Sequence, residues 1–373
     1  MFENEYWILK AHDILQQAIF SPDSVSPCQQ QRIGAQWKRL RAIFSTRIGY
    51  IRLGNRSNGV PKLQDVVPRL SVEDLEEDLR FSWFVSCELK QKLIQVLLAS
   101  CELTADSEPL CRLLTWRSPL AQTVTVSSGH SNHPLMGDAD RIEQLLGDWK
   151  SRHQRLLMAD AVDDISTNPL NFPLFVSEAM LRLLFEYVVS ALHRTLSSAE
   201  NSHLSSWVAK ICEISHQTLK ESALRTTHVI SDVLKRKAMR FLNTHAVICL
   251  SVPLTMNYLT IKTSMQCSPQ AVHDLSTCLQ AMDELALRFE VVDFFRALND
   301  QSLALAHQIL AKELPAAKSN NFVNLFAVAP VDVSNQPDDQ MGKDVYKIVS
   351  RFQEHALACG CVERNKFLLS IHS

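Results

Sequence analysis

The side chains with the greatest potential for chemistry in this sequence are its thiols and its histidines. Ten cysteines occur, but they never form two C-x2-C pairs, the spacing that is typical of structural zinc sites. Cys359 and Cys361 are the closest pair, and no second pair lies near them in the sequence. His130 and His133 lie three residues apart in a polar loop, with no cluster of cysteines or carboxylates beside them. The sequence therefore predicts no metal ligands and no stoichiometric zinc.

The sequence contains only part of each set of carboxylates that would hold magnesium in an all-helical enzyme such as a terpene cyclase. Asp163-Asp164 lacks a further acidic partner, and Asn299-Asp300 lacks a glutamate at the needed spacing. No G-x-S-x-G turn, phosphate-binding loop, HExxH helix or GxGxxG loop occurs. We interpret His193, which has no nucleophile in its sequence context, as a satisfied core or surface histidine. The sequence predicts no enzyme, no catalytic residue and no cofactor-binding residue.

Basic residues are concentrated in two clusters. The first consists of Lys38, Arg39, Arg41, Arg47, Arg52 and Arg56, and the second of Lys235-Arg236-Lys237 with Arg240. Each cluster is either a solvated helix face, a nuclear import signal or a patch for an acidic partner. The net charge of the whole chain is −2, whereas a DNA-gripping domain usually carries a clear basic excess. We therefore expect no sequence-specific DNA binding by the chain alone.

Long helices dominate the predicted architecture. The chain contains only nine glycines in 373 residues, which argues against sheet-rich nucleotide-binding folds. Apolar residues recur at helical spacing over 178–196, with Ser177 as the predicted N-cap, and over 275–298. Further helices are predicted near 5–19, 33–50, 85–102, 138–158, 203–242, 245–262 and 301–312. The sequence predicts an all-α fold with less than about 10% strand.

Loop-like composition sets the predicted domain limits. We expect one helical domain over 1–313, a flexible connector over 314–342 and a helical tail over 343–373. The longest apolar run, near 245–261, is interrupted by Pro253 and is too short to span a bilayer. Residues 1–5 are acidic, unlike the start of a signal peptide. We therefore expect no membrane association, and reduced cysteines that mostly fill the core of an intracellular protein.

A series of short motifs follows a distinctive order along the chain. The sequence 36–41 (QWKRLR) is followed by Arg47, then by Gly54-Asn55-Arg56, and then by 70–75 (LSVEDL). The next motifs are 142–149 (IEQLLGDW), 183–187 (LLFEY) and Leu192-His193-Arg194. The last are 241–245 (FLNTH), Pro253-Leu254, 278–285 (CLQAMDEL) and 292–295 (VDFF).

In order and spacing, these motifs resemble the regulatory, or middle homology, domain of fungal zinc-cluster transcription factors, in particular the branch that includes the cutinase gene activators. Their six-cysteine DNA-binding module is not part of this sequence. The resemblance implies a large helical regulatory domain that acts in the nucleus on a metabolic or secondary-metabolite gene set. It implies protein partners, either a zinc-cluster transcription factor or a second copy of the chain, with DNA reached indirectly. The alternative is a helical interaction module of unrelated function.

Overall fold

A computed structural model describes residues 26, 71–75, 79–80, 86–106, 110, 134–158, 171–197, 206–263, 269–313, 345–353 and 356. These residues are helical apart from short turns and single positions, and no strand occurs among them. The predicted all-α class is therefore confirmed.

The helices of this described part follow one another with short connections or across the gaps between the described ranges. They are α1 (Cys87–Asp106), α2 (Pro134–Arg152), the one-turn α3 (Gln154–Leu157), α4 (Phe172–Ser197), α5 (Ser206–Lys235), the short α6 (His245–Cys249), α7 (Ser251–Thr263), α8 (Pro269–Ala286), α9 (Val291–Glu313) and α10 (345–353). Single 3₁₀ turns lie at Glu73–Leu75 and Met239–Phe241.

Helix α4 begins earlier than the sequence predicts. Ser177 is not its N-cap, because the helix already begins at Phe172. The Ser177 hydroxyl instead donates a hydrogen bond to the Pro173 carbonyl oxygen over 2.9 Å, one helical turn back. Proline is tolerated in a first turn, where its missing N–H has no helical partner. The N-cap prediction was wrong because serine bonds to backbone groups inside helices as well as at their ends.

The apolar repeat over 275–298 is divided between two helices. Helix α8 ends at Ala286 and α9 begins at Val291. In the intervening turn the N–H groups of Arg288 and Phe289 both donate to the Leu285 carbonyl oxygen over 3.0 Å. The repeat identifies buried positions on both sides of the break, including Leu285 and Val292. Periodicity reports burial, and it continues through a turn that returns the chain to the same core.

The first compact unit is built, in its described part, on α1 and α2. Trp149 of α2 is fully buried, and its indole N–H donates to the Ala99 carbonyl oxygen of α1 over 3.0 Å. Leu103 and Ile142 are fully buried as well. A buried tryptophan contributes a large apolar area and a polar end that needs a partner. Trp149 therefore fixes how α1 and α2 face each other.

The second compact unit contains the described residues from Arg182 onward. Its core joins α5, α7, α9 and α10 through Leu219, Ala223, Val252, Met256, Tyr258, Leu259, Ala306, Val345, Tyr346 and Val349. Polar contacts also attach α10 to this core. The Gln353 amide donates to Thr255 Oγ1 over 2.8 Å, and the rings of His216 and Tyr346 meet edge to face with centroids 5.7 Å apart. Helix α10 is therefore an integral part of the second unit.

The two compact units divide between Leu181 and Arg182, inside α4. The predicted connector over 314–342 lies outside the described residues. The predicted limits of 1–313, 314–342 and 343–373 therefore stay predictions.

Candidate protein-interaction site

Most of the potential metal ligands that the sequence singles out lie outside the described residues. These potential ligands are Cys359, Cys361, His130, His133, Asp163 and Asp164. All members of the first basic cluster also lie outside the described residues. Within the ranges that the structure describes, no group of three histidine, cysteine or acidic side chains converges on one point. The prediction that the chain binds no zinc stays a prediction.

Two of the described cysteines lie fully inside the second unit. Burial raises the pKa of the Cys249 thiol to about 12 and that of the Cys278 thiol to about 11. The thiolate is the reactive and metal-binding form of cysteine. Cys249 and Cys278 are therefore neutral at physiological pH and pack as small apolar groups, as the sequence analysis expects of core cysteines.

His193 belongs to a row of buried polar groups between α4 and α5. Its Nδ1 lies 3.2 Å from the Ser215 hydroxyl oxygen, and burial lowers its pKa to about 4. Further along, Ser222 Oγ lies 2.9 Å from Ser190 Oγ and donates to the Glu186 carbonyl oxygen over 3.0 Å. These groups find partners on the facing helix, as buried polar groups usually do. The row, which also includes Arg225, is called the polar seam below.

Glu186 and Arg225 form the charged end of the polar seam. Arg225 Nε donates to Glu186 Oε1 over 2.7 Å, and Arg225 Nη1 lies 3.6 Å from Glu221 Oε2. Burial acts to lower the pKa of Arg225, but its hydrogen bonds to Glu186 and Glu221 and the charges of these two carboxylates together raise the pKa. The charge of Arg225 is therefore committed to holding α5 against α4.

A second polar group, in the first unit, was not found by sequence reasoning. His153 Nε2 lies 2.5 Å from Glu102 Oε2, and Arg152 Nη2 lies 3.8 Å from Glu102 Oε1. The His153 ring is also tilted against that of Trp149, with centroids 5.0 Å apart. Glu102 and His153 are 51 residues apart, so no local spacing could indicate the pair. Together these contacts fasten the end of α2 to α1.

Asn299 and Asp300, which the sequence analysis tested as metal ligands, face different environments on α9. Asn299 is buried and Asp300 is exposed. The structure therefore does not bring this pair together as a single ligand group.

The second basic cluster lies where α5 ends. The Ala238 N–H donates to the Val233 carbonyl oxygen and the Lys237 N–H to that of Leu234, both over 2.9 Å. This pair of bonds is the Schellman motif, which normally places glycine in a left-handed conformation. Lys237 occupies that position with φ of 53°. The helix predicted over 203–242 thus ends at Lys235, and a turn displays the basic residues.

Arg288 connects this turn to the end of α8. Its Nη1 donates to the carbonyl oxygen of Arg240 and, over 3.4 Å, to that of Leu242. The Arg288 guanidinium also lies over the Phe289 ring, with Cζ 4.9 Å from the centroid. The Arg240 guanidinium lies over the Phe241 ring at 4.7 Å. Cation–π contacts of this kind hold a guanidinium against an aromatic face without neutralising its charge.

The exposed side chains of this region combine positive charge with apolar area. They are Lys235, Lys237, Arg240, Phe241, Leu287 and Arg288, which together form the basic–aromatic patch. Phe241 is 50% exposed and Leu287 is 86% exposed. Lys235 pairs with Asp232 over 3.3 Å, whereas Lys237, Arg240 and Arg288 form no ion pair among the described residues. Exposed apolar residues rimmed by charge are typical of protein-contact surfaces.

Sequence reasoning identified half of this patch. It selected Lys235, Lys237 and Arg240, but it assigned Leu287 and Arg288 to a continuous helix over 275–298. One signal was present, because Leu287 does not lie on the three-four repeat that includes Leu285 and Phe289. A large apolar residue that does not lie on such a repeat faces solvent if the helix continues. In the structure, Leu287 lies in the turn that follows the end of α8.

No protein-family model, curated protein or solved structure matches this chain. None of the helices in the described ranges is long and apolar enough to cross a membrane. The chemistry of the basic–aromatic patch and of the two compact units is therefore the basis for a functional proposal.

Proposed function

We propose that this chain is a helical transcription regulator of the fungal zinc-cluster type, which acts in the nucleus through protein contacts and not through a zinc cluster within these 373 residues. The observation that carries the proposal is the basic–aromatic patch. Arginine and aromatic residues are enriched where proteins bind each other, and here they are exposed together. The motif series supplies the class of process.

The residues of the motif series support a scaffold role. Trp149 holds the two main helices of the first unit together, and His193 and Arg194 are buried in α4. Phe241 and Leu242 lie in the segment that Arg288 fastens to α8. A regulatory domain of the implied kind is a helical scaffold, and these positions are ones on which the helical fold depends.

The expected partner is either a zinc-cluster transcription factor or a second copy of this chain. In the first case, DNA would be reached through the partner's zinc cluster. The net charge of −2 supports this arrangement, because phosphate neutralisation dominates DNA affinity. The patch is a local exception to that charge balance. The expected target is a metabolic or secondary-metabolite gene set.

A helical interaction module of unrelated function is the second candidate, because the patch suits a protein partner in any process. The two candidates differ in where the chain acts and with what. Location in the nucleus and recovery of a DNA-bound factor with the chain favour transcription. A different compartment and partners without a link to DNA favour the second candidate.

The test fuses the full chain to an unrelated DNA-binding module. The sites that this module binds lie upstream of a reporter gene in fungal cells. We expect reporter output to change, and Arg240→Gln with Leu287→Gln to reduce that change. The control carries Lys210→Gln and Ile214→Gln, which remove an exposed cation and an exposed apolar residue near the start of α5. A nuclear pull-down of the unfused chain identifies the partners. Unchanged output, with no transcription factor recovered, would contradict the proposal.

A further inference from the structure

We infer that the basic–aromatic patch binds an acidic peptide segment that carries large apolar side chains. This inference rests on the proposed function, because it specifies the partner of the same surface.

The positive charge of the patch determines the charge that its ligand must carry. Lys237, Arg240 and Arg288 are exposed cations without a carboxylate partner in the described part of the chain. The nearest acidic residues along the chain are Asp232, which pairs with Lys235, and the exposed Glu290. Cations therefore outnumber carboxylates here, and the patch attracts negative charge. Charge-assisted hydrogen bonds to carboxylates are stronger and shorter than neutral ones.

The apolar side chains favour a peptide over a nucleic acid. Single-stranded nucleic acids stack their bases on open aromatic faces along a basic groove. One face of Phe241 is already covered by the Arg240 guanidinium, 4.7 Å from the ring centroid. Leu287, 86% exposed, is aliphatic and offers nothing to a phosphate or a sugar. Apolar side chains of a peptide would remove Leu287 and the exposed part of Phe241 from water.

The patch is held in a defined geometry before any ligand arrives. Arg288 is fixed by two carbonyl oxygens, and Arg240 by its own aromatic neighbour. Lys237 projects from a turn that two backbone hydrogen bonds close. A guanidinium has five N–H donors, and the backbone contacts of Arg288 leave most of them for a ligand. Because these groups are already ordered, binding a carboxylate costs less conformational entropy.

The direct test measures binding of labelled synthetic peptides to the full chain by fluorescence anisotropy. The probe alternates Glu with Leu and Phe at helical three-four spacing. Its two matched peptides replace every Glu by Gln, or every Leu and Phe by Ala. Duplex DNA and phosphatidylserine-containing vesicles are assayed at the same ionic strength. Because the patch is small, we expect a Kd on the order of 10–100 μM.

We expect both matched peptides to bind at least about tenfold more weakly than the probe, since each lacks one of the two complementary features. The chain with Arg240→Gln and Leu287→Gln should lose a similar factor. The control chain with Lys210→Gln and Ile214→Gln should bind as the native chain does. Arg288 donates to the backbone carbonyl oxygen of Arg240, so the Arg240→Gln change leaves that acceptor in place.

Several results overturn the inference. Equal binding of the Gln peptide means that charge is not recognised, and equal binding of the Ala peptide means that apolar contact is not. Tighter binding of duplex DNA or of vesicles identifies a phosphate or lipid surface instead. If the tethered chain regulates the reporter and no acidic peptide binds, the partner chemistry is wrong and the proposed function stands. If the probe binds through the patch but the reporter does not respond, the proposed function is wrong and the peptide site stands.

Discussion

Helix α5 and the turn after it carry positive charge in two different ways. Arg225, in the middle of the helix, donates to Glu186 over 2.7 Å across the polar seam. Lys237 and Arg240, just past its end, have no carboxylate partner in the described part of the chain and project from the basic–aromatic patch. The same type of charge thus serves the fold at one point and is left for a ligand at the other. Function in this chain is expected where charges are not used by the fold.

The two regions also differ in how their apolar residues are used. The two helices of the polar seam, α4 and α5, also carry fully buried side chains such as Leu192 and Leu219. In the patch, Phe241 is exposed although the buried Leu242 follows it, and Leu287 is exposed although the buried Leu285 lies two residues before it. Burial of an apolar side chain contributes roughly 1.5–3 kcal/mol, and the exposed parts of Phe241 and Leu287 gain none of this until something covers them.

The sharpest version of the comparison uses two leucines that are two residues apart. Leu285→Ala should lower the free energy of unfolding by about 2–5 kcal/mol, because it leaves a cavity beside a side chain that is almost fully buried. Leu287→Ala should change it by no more than about 0.5 kcal/mol. Urea titrations followed by circular dichroism give both values. Similar losses for the two variants would mean that Leu287 is part of the core.

Acid should affect the polar seam more than the patch. The pKa of His193 is about 4 in the folded chain against 6.5 for an ordinary histidine, because burial disfavours its charged form. Between these values the unfolded chain binds more protons. Stability from this group is therefore complete above about pH 6.5 and is lost as the pH falls toward about 4, to a total of about 3 kcal/mol.

The measurement compares the free energy of unfolding at pH 7 and pH 4.5 for the native chain and for His193→Asn. Asparagine keeps a polar group near the Ser215 hydroxyl and does not titrate. The variant should lose less stability between the two pH values, whatever its stability at pH 7. An identical pH dependence in the two proteins would rule out His193 as a source of acid sensitivity.

A smaller effect is expected at the charged end of the seam. Arg225→Gln leaves Glu186, whose Oε2 has no hydrogen-bond partner among the described residues, with only a neutral donor. We expect a loss of about 1–2 kcal/mol, below that of a fully buried pair because the Arg225 side chain is 44% exposed. Arg296→Gln, at the exposed pair with Asp283, is the control and should cost about 0–1 kcal/mol. Thermal and urea unfolding measure both losses. Equal losses of stability in Arg225→Gln and Arg296→Gln would mean that the partly buried pair contributes no more than the exposed pair.

The smallest effect is a gain of stability at the patch. Lys237 holds a left-handed conformation that glycine adopts without steric cost. Lys237→Gly should therefore stabilise the chain by roughly 0.5–1 kcal/mol. Lys237→Ala removes the same charge but keeps the Cβ, so it should show no such gain. If alanine stabilises as much as glycine, charge repulsion in the basic cluster is the cause, and the backbone is not strained.

The sequence predicted the all-α class of this fold because helical periodicity and the scarcity of glycine can be read within each segment. The same patterns correctly indicated that Leu285 and Val292 are buried, but not that α8 ends between them. The contacts that build the sites join distant residues. Arg288 reaches carbonyl oxygens 48 and 46 residues away, and Glu102 meets His153 across 51 residues. Such pairs depend on how helices pack, which no spacing within one segment encodes. Lys235, Lys237 and Arg240 were visible in the sequence as a basic cluster, whereas Phe241, Leu287 and Arg288 were not recognised as part of the same surface.

The position of α10 has a consequence for how the chain is made. Val345, Tyr346 and Val349 complete a core whose other walls include Val252 and Leu259. Synthesis proceeds at roughly 5–20 residues per second, so the 86 residues from Leu259 to Val345 take roughly 4–17 s. During that interval the apolar wall of α5 and α7 has been synthesised but lacks its final cover. The second unit must therefore finish folding late, and a nascent chain would need protection from aggregation at that wall.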